Sequence, residues 1–191
     1  MHHITLPNFN VLKSKLSENL YNSLLNECLD FSNKKEMVSG LSKEGVPKHF
    51  FVEEKNANEL HNFVDVMIYE YRKKYPEYMS SFHLVNTDLP LVHGKTWINY
   101  QKENEYVPLH EHDGIFSYSL WIKIPVESEF NFNYNAVTGK NLTHRIILNK
   151  EDEGVIILFP SLLRHVVYPF YNSNQTRISI SGNVELDGNK L

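Results

Sequence analysis

Two histidines separated by one residue, His110 and His112, are suited to bind a metal ion. They lie within residues 107–114, where the pattern predicts the end of a β-strand. Alternate residues of a strand point to the same side, so both imidazoles can reach one point in space. Neutral imidazole is a common ligand of divalent transition metals. The pair therefore predicts half of a metal site, and its alternative is an ordinary surface histidine pair.

Two residues later in the chain are candidates for the rest of such a site. His165 follows the apolar run at residues 154–159 and a Pro-Ser break, where an extended pattern resumes. Arg177 lies in the next predicted strand, among isoleucines and serines. An arginine there is expected to bind an anion or to form a salt bridge at a sheet edge. If His165 is not a ligand, it is a core histidine with satisfied hydrogen bonds.

The elements that must position these residues divide into a helical part and a strand-rich part. Helical spacing begins at Asn8 or Asn10 and continues to about residue 35, and it resumes at Asn56 or Asn58 until Pro76. Short strands are predicted before and between the helices, at residues 2–6 and 50–52. Segments rich in β-branched and aromatic residues then predict strands near residues 82–85, 94–101, 106–111, 115–124, 129–134, 142–148, 154–159, 164–168 and 176–184.

This order predicts one α+β domain over residues 1–191, mainly β. Two helices at about 8–76 form a buttress, packed on an antiparallel sandwich or barrel at about 82–185. A net charge of −4 without a basic stripe argues against nucleic acid as a partner. Neither a membrane span nor a signal pattern is found, and the single cysteine fits a reducing cytoplasm.

The sequence resembles the iron(II)- and 2-oxoglutarate-dependent oxygenases, which have a double-stranded β-helix (jelly-roll) fold. Within that superfamily it is most similar to small bacterial and phage proteins related to prolyl hydroxylases. The motifs that carry the resemblance lie at residues 97–101 with 108–112, at 117–125, and at 158–169 with 177–183. The last is the most specific, because a strand, a Pro-Ser turn, His165 and an Arg-Ile-Ser strand follow in order.

The resemblance implies a set of ligands and binding residues. His110 and His165 match two metal ligands, and His112 occupies the third position, where the family usually has Asp or Glu. A bulge could instead bring Glu111 or Asp113 to the metal. Residues expected to contact 2-oxoglutarate are Arg177, Tyr100 and Lys123, the lysine having an alternative as a solvated strand-end residue. Residues expected at the substrate mouth, or else simply packed there, are Trp97, Asn99, Gln101 and Trp121.

The function that follows is a dioxygenase that uses iron(II), 2-oxoglutarate and O₂ to hydroxylate a protein side chain or a small metabolite. One alternative is a cupin-type metal protein that does not use 2-oxoglutarate, which would leave Arg177 without a role. Another is a catalytically silent β-sandwich binding module, which the histidine at position 112 favours. Loops near 36–55 and 134–142 are expected to set the substrate. The expected location is the cytoplasm, that of a host if the protein is phage-encoded.

Overall fold

The computed structural model describes residues 10–30, 47–76 and 89–190. The elements in chain order are β1 Leu12–Lys15, α1 Glu18–Leu29, β2 Lys48–Phe51, α2 Glu54–Lys74, β3 Leu91–Gln101, β4 Val107–His110, β5 Phe116–Lys123, β6 Ser128–Asn135, β7 Asn141–Leu148, β8 Val155–Pro160, β9 His165–Val167 and β10 Arg177–Leu186. The strands predicted near residues 2–6 and 82–85 lie outside the described residues.

The strands form two antiparallel sheets. The larger sheet has the order β1-β8-β5-β10-β3-β2, and the smaller has the order β4-β9-β6-β7. Neighbours in these sheets are mostly distant in sequence, as in a jelly roll. This architecture confirms the predicted double-stranded β-helix with helices packed on one sheet.

Side-chain alternation along the strands divides the interior into two cores. On β5, Phe116 and Leu120 face the helices, whereas Trp121 faces the space between the sheets. On β8, Ile156 and Leu158 belong to the helix side, and the alternate residues Val155, Ile157 and Phe159 belong to the inner side. The larger sheet is therefore apolar on both faces for much of its area, and its inner face becomes polar only near the cavity described below.

The first helix is shorter than predicted. Residues 12–15 pair as strand β1 with β8, in the register Leu12↔Leu158. The helix begins after Ser17, whose hydroxyl accepts a hydrogen bond from the Leu20 backbone N–H. The leucine spacing that predicts a helix from residue 8 or 10 is overridden because β1 satisfies the open edge of the most apolar strand.

The second helix starts at Glu54, before the predicted Asn56 or Asn58. Asn56 is buried between the helices, where its amide donates to Glu27 Oε2 at 2.6 Å and accepts from Ser23 Oγ at 2.9 Å. It is a helix-packing residue rather than a cap. None of the helices in the described residues has an apolar stretch long enough to cross a membrane.

Candidate active site

Three histidines meet at one end of the smaller sheet. His110 at the end of β4 and His165 at the start of β9 are directly opposite each other in the antiparallel pair. His112 follows β4, and its backbone N–H donates to the Ser161 carbonyl at 2.9 Å, in the turn after β8. One nitrogen from each ring lies within 4.8 Å of the others. The two segments that are far apart in sequence thus supply one cluster.

The rings are oriented by their backbone. Nδ1–H of His110 donates to the Pro108 carbonyl at 2.7 Å, and Nδ1–H of His165 donates to the Leu163 carbonyl at 3.0 Å. This assignment of the proton leaves each Nε2 with a free lone pair. His165 is also fixed by packing, because its ring stacks on Phe130 with 5.2 Å between centroids. Such orientation is typical of histidines that bind a metal.

Burial keeps the three imidazoles neutral. Desolvation lowers the pKa of His165 to about 3 and that of His112 to about 4, and it lowers the pKa of His110. The neighbouring histidines lower the pKa of His112 and His165 further, since two positive rings at this separation would repel. Only a neutral imidazole can donate its lone pair to a metal, so the cluster is ready to bind one at neutral pH.

The carboxylates beside the cluster do not join it. Glu111 is exposed, and its Oε2 lies 4.0 Å from Nε of Arg164. Asp113 is also exposed and lies outside the cavity lining. Among the described residues, His110, His112 and His165 are the group of three or more donors that could hold a metal ion. His112, rather than Glu111 or Asp113, is therefore the residue that completes the cluster with His110 and His165.

The histidines open into a cavity of about 690 Å³ between the two sheets. Arg177 lines this cavity from β10, on the larger sheet, and its side chain is 3% exposed. Its Nε donates to Gln101 Oε1 at 3.1 Å, and its Nη2 donates to Gln101 Oε1 and to the Tyr168 carbonyl. Nη1 has no hydrogen-bond partner.

Arg177 is a buried cation without an anionic partner among the described residues. Burial lowers the pKa of its guanidinium to about 10. A buried charge is normally paired, because desolvation is costly. A buried arginine with an unpartnered N–H beside a cavity has the chemistry to bind an anion such as a carboxylate.

Other polar side chains form a strip on the same wall. Asn99 donates to Ser179 Oγ at 3.2 Å and to Ser181 Oγ at 3.1 Å, and its Oδ1 accepts from Trp97 Nε1 at 3.1 Å. Because Ser179 Oγ accepts from Asn99, its own hydroxyl proton is available to donate, whereas Ser181 Oγ also shares a hydrogen bond of 3.4 Å with Ser119 Oγ. Trp121 and Gln101 also line the cavity. The structure therefore brings all four predicted mouth residues to the cavity.

Tyr100 requires a correction. Its side chain lies in the core between the larger sheet and the helices, where the hydroxyl donates to the Cys28 carbonyl at 2.7 Å. It follows Asn99 directly, so it points to the opposite face of β3. The structure places Tyr100 away from the cavity and contradicts its predicted contact with the co-substrate.

Lys123 also lies outside the cavity lining, at the end of β5. A register shift between β5 and β10 pairs Lys123 with Ile178 rather than with a cavity residue. The structure does not bring Lys123 to Arg177, and the solvated strand-end alternative fits its position better.

His49 on β2 is a cavity residue that the sequence did not indicate. It lies opposite Asn99 of β3, is 8% exposed, and its Nε2 has no hydrogen-bond partner. Burial lowers its pKa, so it is a neutral imidazole in the wall. Nothing in the pattern Lys-His-Phe-Phe marks it, because its place depends on how β2 pairs with β3.

Comparison with known proteins agrees with this geometry. Residues 95–183, which contain the three histidines and Arg177, match the profile of a family described as "Putative 2OG-Fe(II) oxygenase". The matched segment, and with it the candidate site, is similar to the 2OG-Fe(II) oxygenases. No curated protein matches the chain in sequence.

Solved structures show the same fold over nearly the whole chain. A Pseudomonas putida prolyl-4-hydroxylase aligns with a TM-score of 0.63 and 12% identity, covering 94% of each chain. HygX from Streptomyces hygroscopicus, solved with nickel, 2-oxoglutarate and hygromycin B, has a TM-score of 0.60 and 11% identity, covering 94% of this chain and 83% of its own. A Trichoplax adhaerens prolyl hydroxylase has a TM-score of 0.57 and 10% identity, covering 95% and 84%.

The residues of the site fit the cofactors of the 2OG-Fe(II) oxygenases, iron(II) and 2-oxoglutarate. Three neutral imidazoles with free nitrogens form the donor set for a divalent metal. The partnerless Nη1 of Arg177 fits the far carboxylate of 2-oxoglutarate. The departure from the usual family pattern is that His112 contributes no negative charge, unlike Asp or Glu.

Proposed function

We propose that this protein is a 2-oxoglutarate-dependent dioxygenase that hydroxylates a protein side chain or a small metabolite. The observation that carries the proposal is the pairing, across one cavity, of a neutral three-histidine cluster with a buried arginine that lacks an anion. A metal site alone would also suit a cupin-type protein. The unpaired guanidinium is what favours an anionic co-substrate.

Each element of the site has a role in this proposal. His110, His112 and His165 would hold the metal, His110 and His165 through Nε2 because their Nδ1–H groups donate to backbone carbonyls. Arg177 would bind the far carboxylate of 2-oxoglutarate, and the histidines that line the same cavity would bind the metal that holds the 2-oxo acid end. When bound, iron(II) supplies the oxidation that turns 2-oxoglutarate and O₂ into succinate and CO₂ and places one oxygen atom on the substrate.

The cavity walls orient the substrate and restrict water. Phe130 and Phe159 pack around His165, so the inner side of the metal site is apolar. The wall of Trp97, Asn99 and His49 lies on the β2 and β3 side and is the proposed substrate side. Hydrogen-bonding groups there select polar substrates, whereas the charged rim is mixed in sign and gives no basis for a nucleic-acid substrate. A cytoplasmic location accords with the single, buried cysteine.

The test is an anaerobic titration of the iron(II)-loaded chain with 2-oxoglutarate. Chelation of iron by the 2-oxo acid is expected to produce a weak visible charge-transfer band, and admission of O₂ is expected to yield succinate. Metal binding without a band would contradict the proposal and favour the cupin-type protein or the silent binding module. A band without succinate on admission of O₂ would favour a binding module that retains the co-substrate.

A further inference from the structure

Gln101 is held too completely to contact a substrate. Its side chain is buried, and its Oε1 accepts two N–H groups of Arg177. Its Nε2 donates to the Glu105 carbonyl and, at 3.4 Å, to the Tyr168 carbonyl. An amide has two donors and an acceptor oxygen with two lone pairs, so its hydrogen-bonding capacity is used. Gln101 therefore lines the cavity but has no free hydrogen-bonding group for a ligand.

The contacts of Gln101 determine which part of Arg177 remains free. The two residues are directly opposite each other on the paired strands β3 and β10. Gln101 Oε1 accepts hydrogen bonds from Nε and Nη2 of the guanidinium, and the Tyr168 carbonyl accepts a second hydrogen bond from Nη2. Only Nη1 is without a partner. The guanidinium is also flanked by the Phe170 ring, with Cζ 5.6 Å from the centroid.

The amide holds the arginine without neutralising it. A glutamate of the same length at position 101 would present a carboxylate to the same Nε and Nη2 edge, which is the bidentate geometry that arginine prefers. The resulting ion pair would compensate the charge of Arg177 inside the protein. With glutamine, the positive charge remains for an incoming anion.

We propose that Gln101 is a positioning residue that sets the preference of this pocket for a 2-oxo acid with a far carboxylate. It acts through Arg177, by holding the Nε and Nη2 edge so that Nη1 is the nitrogen left without a partner, and by leaving the guanidinium charge uncompensated. The inference rests on the proposed function, in which Arg177 binds that carboxylate.

The experiment compares two ligands on the same iron(II)-loaded chain under anaerobic conditions. 2-Oxoglutarate carries the far carboxylate, and 2-oxopentanoate has the same chain length with a methyl group in its place. Dissociation constants come from the charge-transfer band and from calorimetry. The variants are Gln101→Glu and, as a matched control, Gln175→Glu, which makes the same change at an exposed amide two residues before Arg177.

The wild-type chain is expected to bind 2-oxoglutarate about 100-fold more tightly than 2-oxopentanoate. Gln101→Glu is expected to reduce that preference at least about tenfold, through weaker 2-oxoglutarate binding, with 2-oxopentanoate changed by less than about twofold. Gln175→Glu is expected to keep the wild-type preference. A general structural defect would instead weaken both ligands by the same factor.

The outcomes separate this inference from the proposed function. A wild-type chain that shows no preference for 2-oxoglutarate would overturn the role of Arg177 and this inference with it. A wild-type preference that Gln101→Glu leaves intact, or an equal loss for both ligands, would overturn the role of Gln101 alone. If Gln101→Glu does not fold, Gln101→Met removes the contacts to Arg177 without adding charge. This variant is expected to lower the preference for 2-oxoglutarate about fivefold, and an unchanged preference in it also overturns the inference.

Discussion

Replacing Arg177 by methionine tests whether the charge of this side chain binds a ligand or stabilises the fold. Burial lowers the guanidinium pKa from 12.5 to about 10. At about 1.4 kcal/mol per pKa unit, this shift corresponds to roughly 3 kcal/mol of unfavourable free energy for the charged side chain in the ligand-free protein. A carboxylate in the cavity would relieve much of it. Arg177→Met is therefore expected to weaken 2-oxoglutarate binding by roughly 100-fold.

In contrast to its weaker ligand binding, Arg177→Met is expected to keep nearly the wild-type stability. Removing an uncompensated buried charge offsets the loss of the hydrogen bonds to Gln101 and to the Tyr168 carbonyl, so the ligand-free chain is expected to unfold within about 1 kcal/mol of the wild type. Urea denaturation measures this free energy, and anaerobic titration measures the affinity. Wild-type affinity in Arg177→Met, or a loss of about 3–5 kcal/mol of stability, would indicate a structural arginine and refute the reasoning.

Three further predictions concern the metal site, pH and packing. His165→Ala is expected to weaken divalent-metal binding, measured by calorimetry, by about 100-fold or more, whereas His144→Ala on exposed β7 has no effect. The pKa of His165 is about 3 in the folded chain and 6.5 when unfolded. The contribution of this neutral imidazole to the stability of the metal-free protein is therefore fully present above pH 6.5. This contribution is expected to fall as the pH drops toward 4, by up to about 1.4 kcal/mol per pH unit. Urea denaturation at pH 7.5 and at pH 5 measures the change, and equal free energies of unfolding at the two pH values would contradict it. Gly182→Ala would place its Cβ 2.2 Å from the Tyr118 hydroxyl and is expected to lower the free energy of unfolding by about 1–3 kcal/mol, while Gly188→Ala, with open space around it, leaves the melting temperature unchanged.

The sequence was informative wherever alternation and turn chemistry determine the structure. The strands between residues 91 and 186 were predicted within a few residues, because each is a short apolar or aromatic segment bounded by Gly, Asn, Asp or Pro. The resemblance to a known family named the three histidines and Arg177, which the fold brings to one cavity. It could not give the state of Arg177, since a free Nη1 depends on the contacts of Gln101 from another strand.

The errors have physical causes of two kinds. Strand β1 was predicted as helix because Leu12 and Leu16, at its start and just after its end, fit helical spacing, whereas the choice depends on the exposed edge of β8. Tyr100 was a different kind of error, since its position between Asn99 and Gln101 already indicates the opposite face of β3. The resemblance to the family implied a co-substrate contact for Tyr100 that the alternation of side chains along β3 already argues against.

Strand β1 has a consequence beyond closing the fold. All six residues of β8 are buried, and five of them precede the terminal proline as an unbroken apolar run. Without residues 12–15, one side of that run would present unpaired N–H and C=O groups to other molecules, and such an edge is a template for intermolecular strand pairing. Residues 12–15 thus protect the chain from self-association into β-aggregates, and a shortened chain that lacks them would carry that hazard.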